Sequence, residues 1–451
     1  MAGTFTAQNK VRPGAYVNVV GDGVVSDASN AGTLLLFSNE QLDWGATGAI
    51  TLTASSDFKK LLGTGLTDPK LAALNEALKE AETVKFVNLN SNLNVGDKAQ
   101  ATAGPFEVTA KYSGARGNDI TVSIEADAGD NTKATVKTLL DTEVVAEDYV
   151  VWSSLADYTG NDYIDVKSKS KSDISASNFT TASVKLTGGK TTLADLSSTM
   201  TDALNNQEFA VATTGGIKAE SNAHSYLVQG IKRLRETEGL KVRGVVPFSS
   251  LPANYEGISQ VANGYVLGDG TTISATLAAA RFAGMSANAD EVTSLTYANV
   301  DDAVAASPKL DDEETKKALT AGKIVFTTRR GGSVVVEQDI NSLTSFSSKK
   351  PNSWAKNRVV RVMDTVAQYC EDTFENSFIG TQTNNAAGRD LFKANIASYL
   401  AAEESEGAIE HFDPSTDITV EQGADKDSVV VSLTITPTDS MEKLYMTITV
   451  K

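Results

Sequence analysis

The chain has 451 residues, 41% hydrophobic and 7% aromatic, with 40 Lys plus Arg against 57 Asp plus Glu. That length gives room for a large core and a prior of about three domains, while the net charge of -17 disfavours a grip on a polyphosphate backbone, so no nucleic-acid partner is expected. A single cysteine, Cys370, excludes an internal disulfide, and two histidines, His224 and His411, leave little material for metal or triad chemistry.

Apolar runs such as 34–37 are far shorter than the ~20 residues of a bilayer crossing, so no direct membrane insertion is expected, and residues 1–10 lack the basic and apolar regions of a secretory signal, which points to a start in the cytoplasm. Residues 1–22 read as an extended arm, since Pro13 fixes φ, Gly14 loosens the chain, and Ala15, Val17 and Val19 alternate around Tyr16 and Asn18. A first core part follows over 23–92: a strand at 33–37, a helix opened by Asp68-Pro69 with Leu71, Leu74, Leu78 and Ala81 on one stripe, and a strand at 84–89. Between 93 and 189 the texture turns to short β runs at 106–112, 120–124, 135–140 and 144–152 separated by Gly, Asn and Asp turns, the pattern of an inserted β-sandwich. Its alternating Lys and Ser at 167–172 read as a solvated loop.

The core resumes over 190–438. Helices are expected at 219–238, 274–285, 356–378 and 388–404, a strand at 241–248, and a hairpin of 323–328 with 333–336 around Arg329 and Arg330. In the arm at 439–451, Leu444, Met446, Ile448 and Val450 point one way and Tyr445, Thr447, Thr449 and Lys451 the other, a period of two that suits pairing at a sheet edge, its own or a neighbour's. The fold class is therefore an α/β (α+β) core domain with an inserted all-β sandwich domain and extended N- and C-terminal strand arms.

Few motifs suggest chemistry. Gly188-Gly189-Lys190-Thr191 resembles the end of a phosphate loop, but the glycine needed five positions before the Gly-Lys pair is Val184, so a turn is the better reading and no cofactor is expected. Asp127, Asp130 and Asn131 lack the spacing of a calcium loop, and no catalytic or metal residues are assigned. Cys370 falls on the apolar stripe of its helix. One charge feature stands out: between Ile340 and Met363 there are five basic residues, Lys349, Lys350, Lys356, Arg358 and Arg361, and no acidic one. Three lie in the first turns of an expected helix, where the macrodipole disfavours cations, and an acidic partner surface would resolve the mismatch.

Several stretches resemble the tail sheath proteins of contractile-tailed phages and phage-like particles of Gram-positive bacteria: 10–18, 112–120, 322–344, 356–364 and 441–450. The matches keep their order over nearly the whole chain. The resemblance implies no enzymatic activity but a structural subunit that polymerises helically around an inner tail tube protein, contracts, and drives the tube through a cell envelope, in a particle assembled in the host cytoplasm with baseplate and tail terminator proteins as further partners. It implies that Val11, Pro13, Gly14, Ala15, Tyr16 and Val17 at one end, and Leu444, Tyr445, Met446, Ile448 and Val450 at the other, add strands to neighbouring subunits. Lys349, Lys350, Lys356, Arg358 and Arg361 are expected to face the inner tube, and charge reversal at Lys356, Arg358 and Arg361 to loosen tube attachment while the subunit stays folded. Another self-assembling protein of surface-layer or adhesin type, and a carboxylate-based hydrolase, are the competing readings.

Overall fold

A computed structural model describes residues 32–90, 95–169, 174–248 and 253–450. The chain forms two compact units, one of residues up to Leu36, Glu76–Val84 and Gln207–Lys451, the other of Phe37–Asn75 and Lys85–Asn206.

The first unit is α/β. Strands Thr33–Ser38, Val211–Thr213, Arg243–Pro247, Ile258–Val261 and Lys323–Ile324 pair in that spatial order, every pairing parallel. Leu34–Phe37 is a continuous apolar run, and Val211–Thr213 and Ile258–Val261 are buried at every residue, as fits a parallel sheet covered on both faces. Helix Ala275–Asn288, capped by the Ser274 hydroxyl, is buried at every residue from Ala278 to Ala287. Alanines suit such an all-round buried helix: a Cβ at Gly215 would lie 2.5 Å from the Ala280 nitrogen, so backbone meets backbone there.

The hairpin expected from 323–328 divides in two. Lys323–Ile324 joins the parallel sheet, whereas Phe326–Thr328 pairs antiparallel with Val334–Val336. The buried Asn263 side chain causes the change of sheet, since its Oδ1 accepts from the Phe326 N–H at 2.8 Å and its Nδ2 donates to the Phe326 carbonyl at 2.9 Å. Both backbone groups of Phe326 are satisfied outside any ladder.

Helix Asn357–Thr373 and helix Ala386–Glu406 enclose a second core of the same unit, including Val362, Val366, Phe392, Ile396, Leu400 and Ile418. The helix expected to run to Phe378 widens into a π turn over Phe374–Phe378, which sets Phe374 and Phe378 at ring distances of 5.2 and 4.8 Å from Phe392. Gly407 ends the later helix in the left-handed region at φ 82°, a conformation glycine adopts without strain.

The second unit carries the β-sandwich. One sheet orders Ala182–Lys185, Ile120–Ala126, Lys133–Leu140 and Glu143–Val151; the other orders Gln100–Ala103, Phe106–Ala110 and Ile164–Ser168, all antiparallel. Lys167 and Ser168, expected in a loop, pair instead with Glu107 and Phe106; residues 170–173 lie outside the described ones. Residues 37–75, expected with the first core part, belong to this unit because Trp44 is buried in its core, with Tyr112 edge-on at 5.2 Å and Tyr163 stacked at 6.3 Å. Arg116 completes the attachment, donating to the Gly63 carbonyl and pairing with Asp119 and Asp141.

Candidate functional site

The C-terminal arm leaves the first unit just after Thr436–Pro437, which pairs with Ile409–Glu410. Two side chains at the start of helix Asn357–Thr373 hold its root. Arg358 donates to the Thr438 hydroxyl at 2.8 Å and to its carbonyl, and also to the carbonyls of Val292 and Gly407. Lys356 pairs with the Glu442 carboxylate, which also accepts from Gln338 Nε2 and Thr296 Oγ1 at 2.8 Å each. Past that anchor, Leu444, Tyr445, Met446, Ile448 and Val450 are 69% to 90% exposed, and no strand pairing is assigned to 443–450. Leu444, Met446, Ile448 and Val450 thus form an exposed apolar row on a backbone with no ladder partner among the described residues.

Burial alone would raise the Glu442 carboxyl, but hydrogen bonds from Lys356, Gln338 and Thr296 outweigh it and hold the group below its ordinary value of 4.5. A depressed carboxyl stabilises the folded arrangement in full above that ordinary value and loses the contribution as pH falls through the lowered one. A carboxyl-carbon NMR titration of Glu442 is expected to show its midpoint below 4.5, and Lys356→Met to move that midpoint upward.

In the same unit, Ile418–Gln422 and Val429–Leu433 form an antiparallel hairpin packed on helix Ala386–Glu406. It is a sheet of two strands, so each strand has an outer edge with no ladder partner among the described residues. Such hairpins are marginal alone and gain stability from further strands.

The basic run does not act as one surface. Arg358 and Arg361 are buried, which corrects the expectation that they face a partner. Arg361 donates to Asp339 at 2.8 Å in a pair with side chains 3% and 1% exposed, and its other acceptors are the carbonyls of Asp290 and Thr293. Acceptors within the chain, rather than an acidic partner, resolve the mismatch with the helix dipole. The reversal expected to spare the fold at Arg358 and Arg361 would therefore strike the interior. Lys350 pairs with Glu256 at 2.6 Å beside the rings of Tyr255 and Trp354, Lys356 serves the arm root, and Lys349 is exposed. The arm residues Val11, Pro13, Gly14, Ala15, Tyr16 and Val17 lie outside the described residues.

Groups weighed for chemistry serve the fold. Asn118 holds Gly189 through both its N–H and its carbonyl, and Thr191 donates to Asp43 at 2.6 Å, so the Gly-Gly-Lys-Thr stretch is a tied turn. The Asp127 carboxylate accepts from the N–H groups of Gly129 and Asp130 and from Thr135. His224 is buried between the Thr214 hydroxyl at 2.7 Å and the Lys218 carbonyl at 2.8 Å. No group of three or more metal-ligating side chains occurs among the described residues, and none of their helices is long and apolar enough to cross a membrane.

Three family models for the phage tail sheath protein match the chain, the first two overlapping: the beta-sandwich domain at residues 94–195, the central domain at 156–342 and the C-terminal domain at 349–451. The phage-like element PBSX protein XkdK of Bacillus subtilis is 32% identical over 99% of both chains. A sheath tail protein of Desulfitobacterium hafniense, solved by crystallography, is 34% identical, with a TM-score of 0.76 over 96% of this chain and 99% of that one. The contracted helical sheath of the anti-feeding prophage shares the fold at a TM-score of 0.55 and 8% identity, over 99% of each chain.

Proposed function

The chain belongs to the phage tail sheath family, and from that premise we propose that its copies polymerise helically around an inner tube, joined by strands that each subunit's terminal arms add to its neighbours. The family is structural, and the chain is not an enzyme. The lattice is assembled extended and relaxes to a shorter, wider one, driving the tube through a cell envelope, with the energy held in the difference between two packings of one subunit. Baseplate and terminator proteins meet it at its ends, and assembly takes place in the host cytoplasm.

The observation that carries this reading is the C-terminal arm, whose Leu444, Met446, Ile448 and Val450 stand exposed in the isolated subunit. Strand addition answers both of its deficits, since ladder bonds satisfy the backbone and one apolar row gains a surface to cover. The hairpin Ile418–Gln422 with Val429–Leu433 is the acceptor, because its two outer edges are open and its strands are short. Val11, Pro13, Gly14, Ala15, Tyr16 and Val17 make the corresponding link at the other end of the chain. Lys349 faces the tube, three residues after the exposed Phe346, with Lys350 and Lys356 set back by their own acidic partners.

Electron microscopy of the purified chain tests this. Striated tubes are expected, and in them the bond after Lys443 should resist trypsin, whereas the free subunit releases the peptide 444–451. Flat lattices or discrete particles, or equal cleavage in both states, would refute it.

A further inference from the structure

The arm is exposed on both sides of Glu442, at Met441 and at Lys443, yet Glu442 itself turns its carboxylate inward until the side chain is 11% exposed. Three separate segments meet it there: Thr296, Gln338 and, just before helix Asn357–Thr373, Lys356. Thr296 also accepts from the Asp339 N–H at 2.9 Å, so its hydroxyl hydrogen is directed at Glu442. Asp439, 3.6 Å from Lys356, adds a second acid to the same cation. Removing a carboxylate from water is unfavourable unless its lone pairs are met, and here they are met by a set of donors already in place.

We propose that Glu442 is a positioning residue: its ion pair with Lys356 pins the arm to its own subunit and sets the joint at Lys443 from which the strand departs toward a neighbour. The inference rests on the strand-exchange reading and adds where the exchanged strand begins. The nine residues from Lys443 to Lys451 span at most roughly 30 Å when extended, so a hairpin within that distance is in their reach. Without the pin, the next hold is Arg358 on Thr438, and the free segment grows to thirteen residues. That lengthening lowers the effective concentration of the strand only about twofold. The pin's contribution is therefore direction and register rather than proximity: every copy presents the same residue at the same place, and the two faces of the strand cannot exchange by a one-residue slip.

A nitroxide at position 441, introduced as Met441→Cys in a Cys370→Ser background, reads the pin in the soluble subunit, because it lies between the holds at Thr438 and Glu442. Glu442→Gln and Lys356→Met are each expected to remove the immobilised component of its spectrum, and the double variant to go no further than either single one. With the label omitted, the same variants should remain folded and form fewer tubes, of irregular pitch. A spectrum unchanged by Glu442→Gln, or a freed label with tubes of parental yield and pitch, overturns the pin. Truncation after Glu442 separates the two ideas: tubes that survive it refute strand exchange, whereas the spectrum of the soluble subunit reports on the pin alone.

Discussion

Deleting residues 443–451 is expected to leave a subunit that folds and melts like the full chain yet forms no striated tubes at concentrations where the full chain forms them. The deletion removes nothing from a core, since Leu444, Tyr445, Met446, Ile448 and Val450 are exposed and the holds at Thr438 and Glu442 precede the cut. Each large apolar side chain that a neighbour covers contributes about 1.5–3 kcal/mol, and each 1.4 kcal/mol is a factor of ten in association. Losing the row of Leu444, Met446, Ile448 and Val450 at once removes several powers of ten from every joint, before the ladder hydrogen bonds are counted. Calorimetry of the free subunit and microscopy of the polymer check the two halves of this expectation. Normal tubes from the truncated chain would end the strand-exchange account.

Arg361→Glu is expected to have the opposite profile, a subunit that fails before it can assemble. Asp339 is 1% exposed and accepts from Arg361, from Asn357 Nδ2 at 2.8 Å and from the Leu295 N–H at 3.1 Å. The substitution leaves a buried carboxylate facing a second one across the space of the former ion pair. Breaking a buried pair typically costs about 3–5 kcal/mol, and a like charge adds to it, against a total stability of roughly 5–15 kcal/mol for a domain. Denaturant unfolding should show a large loss of midpoint or no folded baseline at all. Lys349→Glu, at an exposed position, should change the midpoint little. A fully stable Arg361→Glu subunit would contradict the placement of Arg361 in the interior.

These two residues show how far the sequence could be read. Single strands of the core, the sandwich strands and the long helices announce themselves through local period, Leu34, Leu35, Leu36 and Phe37 as a buried run and Val359, Met363 and Val366 on a helical stripe, whereas the parallel order of the core strands does not. The same locality misleads for charge. The run from Lys349 to Arg361 looks unpaired because Asp339 precedes Arg361 by 22 positions and Glu442 follows Lys356 by 86. A count over a window cannot find partners that only the fold brings near. Trp44 is a similar case, since nothing in residues 37–75 marks their one tryptophan as a plug for a core built from residues 99 onward. The exposed course of residues 443–450 was legible because the alternation there is unmasked by any packing of its own. Its root was not, because a lone glutamate in an exposed stretch carries no pattern. The division of the hairpin at Phe326 was hidden for a related reason: the cause is the side chain of Asn263, 63 positions earlier.

In the proposed lattice, the root of the arm would be the place where a neighbour's pull enters the subunit. The holds on Thr438 and Glu442 come from Arg358 and Lys356, neighbours at the N-terminal end of helix Asn357–Thr373. A pull on the arm would load Glu442 first, where Lys356, Gln338 and Thr296 share one carboxylate, and would reach Thr438 and the short pairing of Ile409–Glu410 with Thr436–Pro437 only after that hold had yielded. Bonds loaded side by side share a pull, whereas bonds loaded in sequence each meet it whole.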